Sequence, residues 1–79
     1  MPAVTVRYFA MLREQRGCEV ETLVVPEGAT AGSVYDELFP PGPMGQMTVA
    51  FAVNQTYASR GASLKEGDEL AFIPPVGGG

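Results

Sequence analysis

The chain has 79 residues, 46% of them hydrophobic, with nine acidic and five basic side chains, a net charge of −4 and no histidine. A chain of this size supports one hydrophobic core, burying about 60–65% of the surface its unfolded form exposes, and its composition lies far from that of disordered proteins. The basic residues Arg7, Arg13, Arg16, Arg60 and Lys65 form no run. That spacing excludes the electrostatic footprint of a nucleic-acid binder. An acidic surface fits a protein partner with a basic face, or serves solubility alone. No stretch approaches a membrane span or a signal-peptide apolar region, so the expected location is cytoplasmic.

In chain order, "VTVRYFAML" alternates through Val4, Val6 and Tyr8 with Thr5 and Arg7 between them, the pattern of a half-buried strand. "AMLREQRG" follows as a short helix that Gly17 ends. "EVETLVVPEG" reads as a second strand closed by Pro26 and Gly28, near enough to the first to pair with it antiparallel. "TAGSVYDELF" is the main helix. Thr30 caps it, Ala31, Val34, Tyr35 and Leu38 share one face, and Pro40 and Pro41 stop it.

A Pro/Gly connection, "PPGPMGQ", leads to a third strand in "MTVAFAVN". "NQ" marks a tight turn into a short fourth strand, "TYAS". "LKEGDELAFIP" carries a turn at Glu66–Gly67–Asp68 and a last strand over Glu69 to Ile73. The order predicts an α+β domain over 1–73: a small mixed sheet with one main helix packed across one face, followed by a tail over 74–79.

Few residues here support catalysis. Cys18 is the only cysteine, so it can form no intramolecular disulfide, and without histidine it lacks the usual base of a thiol nucleophile. A zinc site of ordinary ligands, a Ser-His-acid triad and a phosphate-binding loop are all missing from the sequence. Glu66, Asp68 and Glu69 cluster at a turn, where a structural role is the better reading than acid/base work. The expected metal content is none.

The C-terminal "AFIPPVGGG" stands apart. Pro74 and Pro75 end the strand and favour an extended chain. Gly77, Gly78 and Gly79 lack side chains, so this backbone can enter a channel too narrow for other residues. Six extended residues reach up to about 20 Å, and a glycine carboxylate is sterically open to attack on a nucleotide phosphate. The residues alone leave two readings open: a working arm, or a frayed end.

The sequence resembles the small, sulfur-carrier subunits of molybdopterin synthase, ubiquitin-like β-grasp proteins. The resemblance rests on "VRYFAMLRE", "VPEGAT", "AVNQ", "L-x-x-GDE-x-AFIPPV" and the final glycine pair, in order and at the expected spacing. It implies a flexible C-terminal Gly-Gly tail and a non-catalytic carrier. The Gly79 carboxylate would be adenylated by a ubiquitin-activating-like adenylyltransferase using ATP and converted to a thiocarboxylate. The tail of Pro74, Pro75, Val76, Gly77 and Gly78 would then enter the large catalytic subunit of a heterotetramer, where sulfur passes to a cyclic pterin precursor of the molybdenum cofactor. No cofactor bound by the chain itself is implied.

The resemblance also implies that Phe9, Tyr57 and Ile73 dock on partners. On the residues alone, Phe9 reads equally as a core residue at the strand's end. Alternation turns Ile73 outward if Leu70 and Phe72 face the core. Gly77 departs from the resembled family, which usually carries a small non-glycine residue there, often serine, alanine or threonine. Other β-grasp roles with the same ending are sulfur carriage for thiazole synthesis or tRNA thiolation, and ubiquitin-like protein modification. The "RYFAMLRE" and "FIPPV" segments favour the molybdopterin branch.

Overall fold

The structure, a computed structural model, describes residues 1–42 and 48–75. Strand β1 (Ala3–Tyr8) is followed by helix α1 (Ala10–Arg16), strand β2 (Val20–Val24) and helix α2 (Ala31–Leu38). Strands β3 (Ala50–Val53), β4 (Thr56–Ala58) and β5 (Glu69–Ile73) complete the chain. The five strands form one sheet in the order β2-β1-β5-β3-β4. β1 and β5 run parallel at its centre, and every other pair is antiparallel. The α+β class and the mixed sheet agree with expectation.

Alternation sorts the two faces of this sheet. Val4, Val6 and Tyr8 of β1 and Leu70 and Phe72 of β5 turn to the side covered by α2, and all five are buried. Ala31, Val34 and Tyr35 close on them from the helix. Five aromatic rings meet there, with Phe72 at their centre: its centroid lies 5.0 Å from that of Tyr35, 5.9 Å from Phe51 and 6.2 Å from both Phe39 and Tyr8. Tilted and edge-on contacts of this kind add to the stabilisation from area burial.

The caps obey local chemistry. Gly17 ends α1 at φ 77°, a left-handed conformation in which a Cβ is penalised, and its N–H donates to the Arg13 carbonyl. Thr30 caps α2 as expected. The structure adds a reciprocal bond, because the Ser33 hydroxyl accepts from the Thr30 N–H while Thr30 Oγ1 accepts from the Ser33 N–H.

Arg60 also gains a role. Its side chain lies over α2, donating to Asp36 Oδ2 at 2.6 Å and to the Gly32 carbonyl at 3.3 Å. A Cβ on Gly32 would stand only 2.9 Å from Arg60 Cγ and Nε, so this clasp requires the glycine.

β3 begins at Ala50, shorter than the expected "MTVAFAVN". Ala50 pairs with Ile73, the last residue of β5. Pro74 cannot extend the ladder, so among the described residues Val49 and Thr48 have no strand to pair with. Met47 and the preceding 43–46 lie outside the described residues.

The three clustered carboxylates are structural, each with a definite partner. Glu66 accepts from the Ala3 N–H at 2.9 Å. Asp68 accepts from the Lys65 N–H at 2.8 Å and from Asn54 Nδ2 at 2.9 Å. Glu69 pairs with Arg7 at 2.7 Å. Asn54 also accepts from the Glu69 N–H, so the β3–β4 turn is tied to the start of β5. Asn54 and Gln55 sit at φ 53° and 68°, the left-handed pair that a two-residue hairpin turn demands. The "AVNQ" and "GDE" segments are therefore two halves of one hydrogen-bonded junction.

Tyr8 donates to Glu21 Oε2 at 2.6 Å, and Arg16 reaches the same oxygen at 2.7 Å. The Tyr8 and Arg16 bonds hold the Glu21 carboxyl below its ordinary range. Asn54 and the Lys65 N–H do the same for Asp68. A carboxyl depressed in the folded state contributes stability above its unfolded pKa and loses it as pH falls through the folded value. Stability should therefore be level near neutrality and decline on acidification below the ordinary values of 4.5 for Glu21 and 3.8 for Asp68. Urea titrations between about pH 2 and 7 check this. Glu21→Gln and Asp68→Asn together should flatten the acid limb.

Candidate functional site

Among the described residues the sheet face away from α2 carries no helix, and its residues follow from the ladder register. Arg7 pairs with Ala71, Ala71 with Ala52, and Ala52 with Tyr57, so these four form a row across the open face. In the centre of that row stand two alanines, so the floor is low. Around it rise Phe9, Tyr57, Ile73 and Gln55, with Arg7 and Glu69 at one side. Together they enclose a shallow hollow of about 320 Å³.

The structure thus brings all three expected docking residues to one place. Tyr57 is 77% exposed, standing off the short strand β4. Phe9 is 43% exposed: alternation carries it to the open face after Arg7, and Ala10, at φ 50°, turns the chain away into α1. Ile73 is half-buried and outward, while Leu70 and Phe72 are fully buried on the other side. An apolar patch of this kind, rimmed by polar groups, is what an interaction surface looks like. The Arg7–Glu69 pair neutralises charge at its edge. The sequence reading missed Arg7, Glu69, Gln55 and the alanine floor. The alternation of β1 and β5 was the available signal for the first two.

Ile73 leads directly into Pro74, half-buried, and Pro75, exposed. The hollow therefore lies beside the point where the chain leaves β5 through Pro74 and Pro75. Val76, Gly77, Gly78 and Gly79, the rest of the expected tail, lie outside the described residues. Cys18 is half-buried against the core. Among the described residues no group of three or more His, Cys, Asp or Glu could hold a metal ion, and no helix is long and apolar enough to cross a membrane. What this surface offers chemically is apolar docking.

Comparison with known proteins places this arrangement. The sequence model of the ThiS family matches residues 6–79. The molybdopterin synthase sulfur carrier subunit of Arabidopsis thaliana is 38% identical, over 96% of this chain and 82% of its own. The Mycobacterium tuberculosis protein of the same name is also 38% identical, over 100% of both chains. Among solved structures, the small archaeal modifier protein 1 of H. volcanii superposes with a TM-score of 0.81 at 28% identity, covering 96% of this chain and all of that one. The chain belongs to the ThiS family of β-grasp proteins and groups with the molybdopterin synthase sulfur carrier subunits.

Proposed function

We propose that the chain is the sulfur carrier of molybdopterin synthase, a protein cosubstrate in the cytoplasm that supplies a reactive terminus and no catalytic residues. The observation that carries this reading is the match, over nearly the whole chain, to carrier subunits of that enzyme.

In this reading a Gly79 carboxylate oxygen attacks the α-phosphorus of ATP on an adenylyltransferase. Pyrophosphate leaves, and a sulfide-equivalent nucleophile then displaces AMP to give the thiocarboxylate. Inside the large subunit the thiocarboxylate sulfur bonds to a carbon of a cyclic pterin precursor as an oxygen substituent leaves that carbon. Water then cleaves the acyl–sulfur bond, leaving the sulfur on the pterin and a carboxylate on Gly79. ATP is used by the activating enzyme and is not held by this chain. Pro74 to Gly78 form the slender approach. The hollow bounded by Phe9, Tyr57 and Ile73 is the docking face for both partners, because it adjoins the root of the tail.

A second reading, protein modification through the same terminus, is favoured by the likeness to an archaeal modifier protein. It predicts higher-mass conjugates on lysines of other proteins.

Co-purification with the large synthase subunit tests the docking face. Phe9→Ala and Tyr57→Ala remove exposed rings and should leave thermal unfolding unchanged. If both rings anchor the interface, each variant should weaken binding by about 2 kcal/mol, near thirtyfold. Wild-type affinity in both variants would remove the docking role from this face.

A further inference from the structure

We propose that the outer edge of β2, with the groove between it and α2, is a second docking site, which takes an extended, basic-flanked apolar peptide as an added strand.

β2 is the last strand on its side of the sheet. Tyr8 donates to the Glu19 carbonyl and Val25 to that of Pro2, which fixes the hydrogen-bonded pairs of the β1–β2 ladder. By alternation, the N–H and C=O groups of Val20, Thr22 and Val24 point outward, away from β1. They present a strand-length template. The opposite edge, β4, is only three residues long.

Beneath this edge lies a groove of about 430 Å³ between β2 and α2, with Leu23, Ala29, Val34 and Leu38 among its lining residues. Leu23 turns to the helix side of the sheet, so the groove and the Phe9–Tyr57–Ile73 hollow occupy opposite faces. A strand laid along β2 would complete its hydrogen bonds there and drop alternate side chains into the groove, the geometry of strand addition. A compact apolar ligand would fill the groove but leave the backbone groups unanswered.

Charge selects the flanks. Glu37 lines the groove from α2, whose last turn carries no basic residue to offset the negative end of the helix. A lysine or arginine beside the apolar segment meets both. The same charge disfavours a second copy of this chain. Pairing two β2 strands about Thr22 would set Glu21 of each copy against Leu23 of the other, between two molecules of net charge −4.

The test is an amide-resolved NMR titration of the full chain with the synthetic peptide acetyl-Lys-Val-Thr-Val-Ile-Val-Lys-amide. Saturable shifts at 20–25 and 33–38, with slowed exchange of the Val20, Thr22 and Val24 amides, are expected. Thr22→Pro removes an outward donor without touching the β1 ladder and should weaken binding about tenfold. Glu37→Lys, an exposed change that keeps the fold, should weaken it severalfold. It also decides the matter if the proline variant fails to fold. The proposal is overturned if no saturable binding occurs, or if a probe N-methylated at alternate residues binds equally well. It is also overturned if the shifts centre on Phe9, Tyr57 and Ile73, or if β2 is occupied by self-association instead.

Discussion

Deleting Gly79 should lower sulfur transfer to the pterin precursor by at least about a hundredfold while leaving the melting curve of the protein unchanged. The shortened chain still ends on two glycines, Gly77 and Gly78. The terminus therefore stays as open and as slender as before. What changes is reach: the carboxylate retreats by one residue, about 3.3–3.6 Å. A misplacement of even ~1 Å can cost on the order of a hundredfold in rate. The fold should not register the loss, since among the described residues the core cluster runs no further along the chain than Phe72. Synthase turnover with the adenylyltransferase, ATP and a sulfur donor checks the first half, and thermal unfolding by circular dichroism the second. Full activity in the deletion would show that reach is not what the tail provides.

Phe72→Ala should be the most damaging single change to the fold. Phe72 is fully buried and touches four other rings, so its removal leaves a cavity where the aromatic cluster converges. Deletions of this kind cost about 3–5 kcal/mol. A domain of this length has roughly 4–12 kcal/mol in total, and each kcal/mol moves the midpoint by about 4–8 °C. The variant should be largely unfolded at physiological temperature or melt well below the parent. Phe72→Leu retains most of the volume and should cost far less. A midpoint within ~5 °C of wild type for Phe72→Ala would mean that the cluster is not the centre of the core.

Much of this fold was legible in local pattern. The alternation of Val4, Val6 and Tyr8 gave β1 its buried face, Thr30 marked the start of α2, and Gly17 the end of α1. Each signal is a short-range steric or hydrogen-bonding requirement, so nothing distant could override it. The sheet order was not legible, because the parallel pairing of β1 with β5 joins segments more than 60 residues apart and leaves no local trace. With the order went the identity of β2 as an edge and of Ala52 and Ala71 as a shared floor. Ile73 could be turned outward from Leu70 and Phe72 alone. Phe9 could not be decided, because the left-handed turn at Ala10 that separates β1 from α1 has no glycine to announce it. Arg60 and Asn54 gave no sign of their clasps for the same reason, since their partners lie 24–28 and 14–15 residues away.

In the proposed function the carrier role comes down to one atom at Gly79. Intact mass spectrometry of the protein after incubation with the adenylyltransferase, ATP and a sulfur donor is the most direct measurement. The predicted result is a species in which one oxygen has been replaced by sulfur, absent without ATP and lost on mild hydrolysis. An unchanged mass, or a mass change that maps anywhere other than the terminal glycine, would contradict the account.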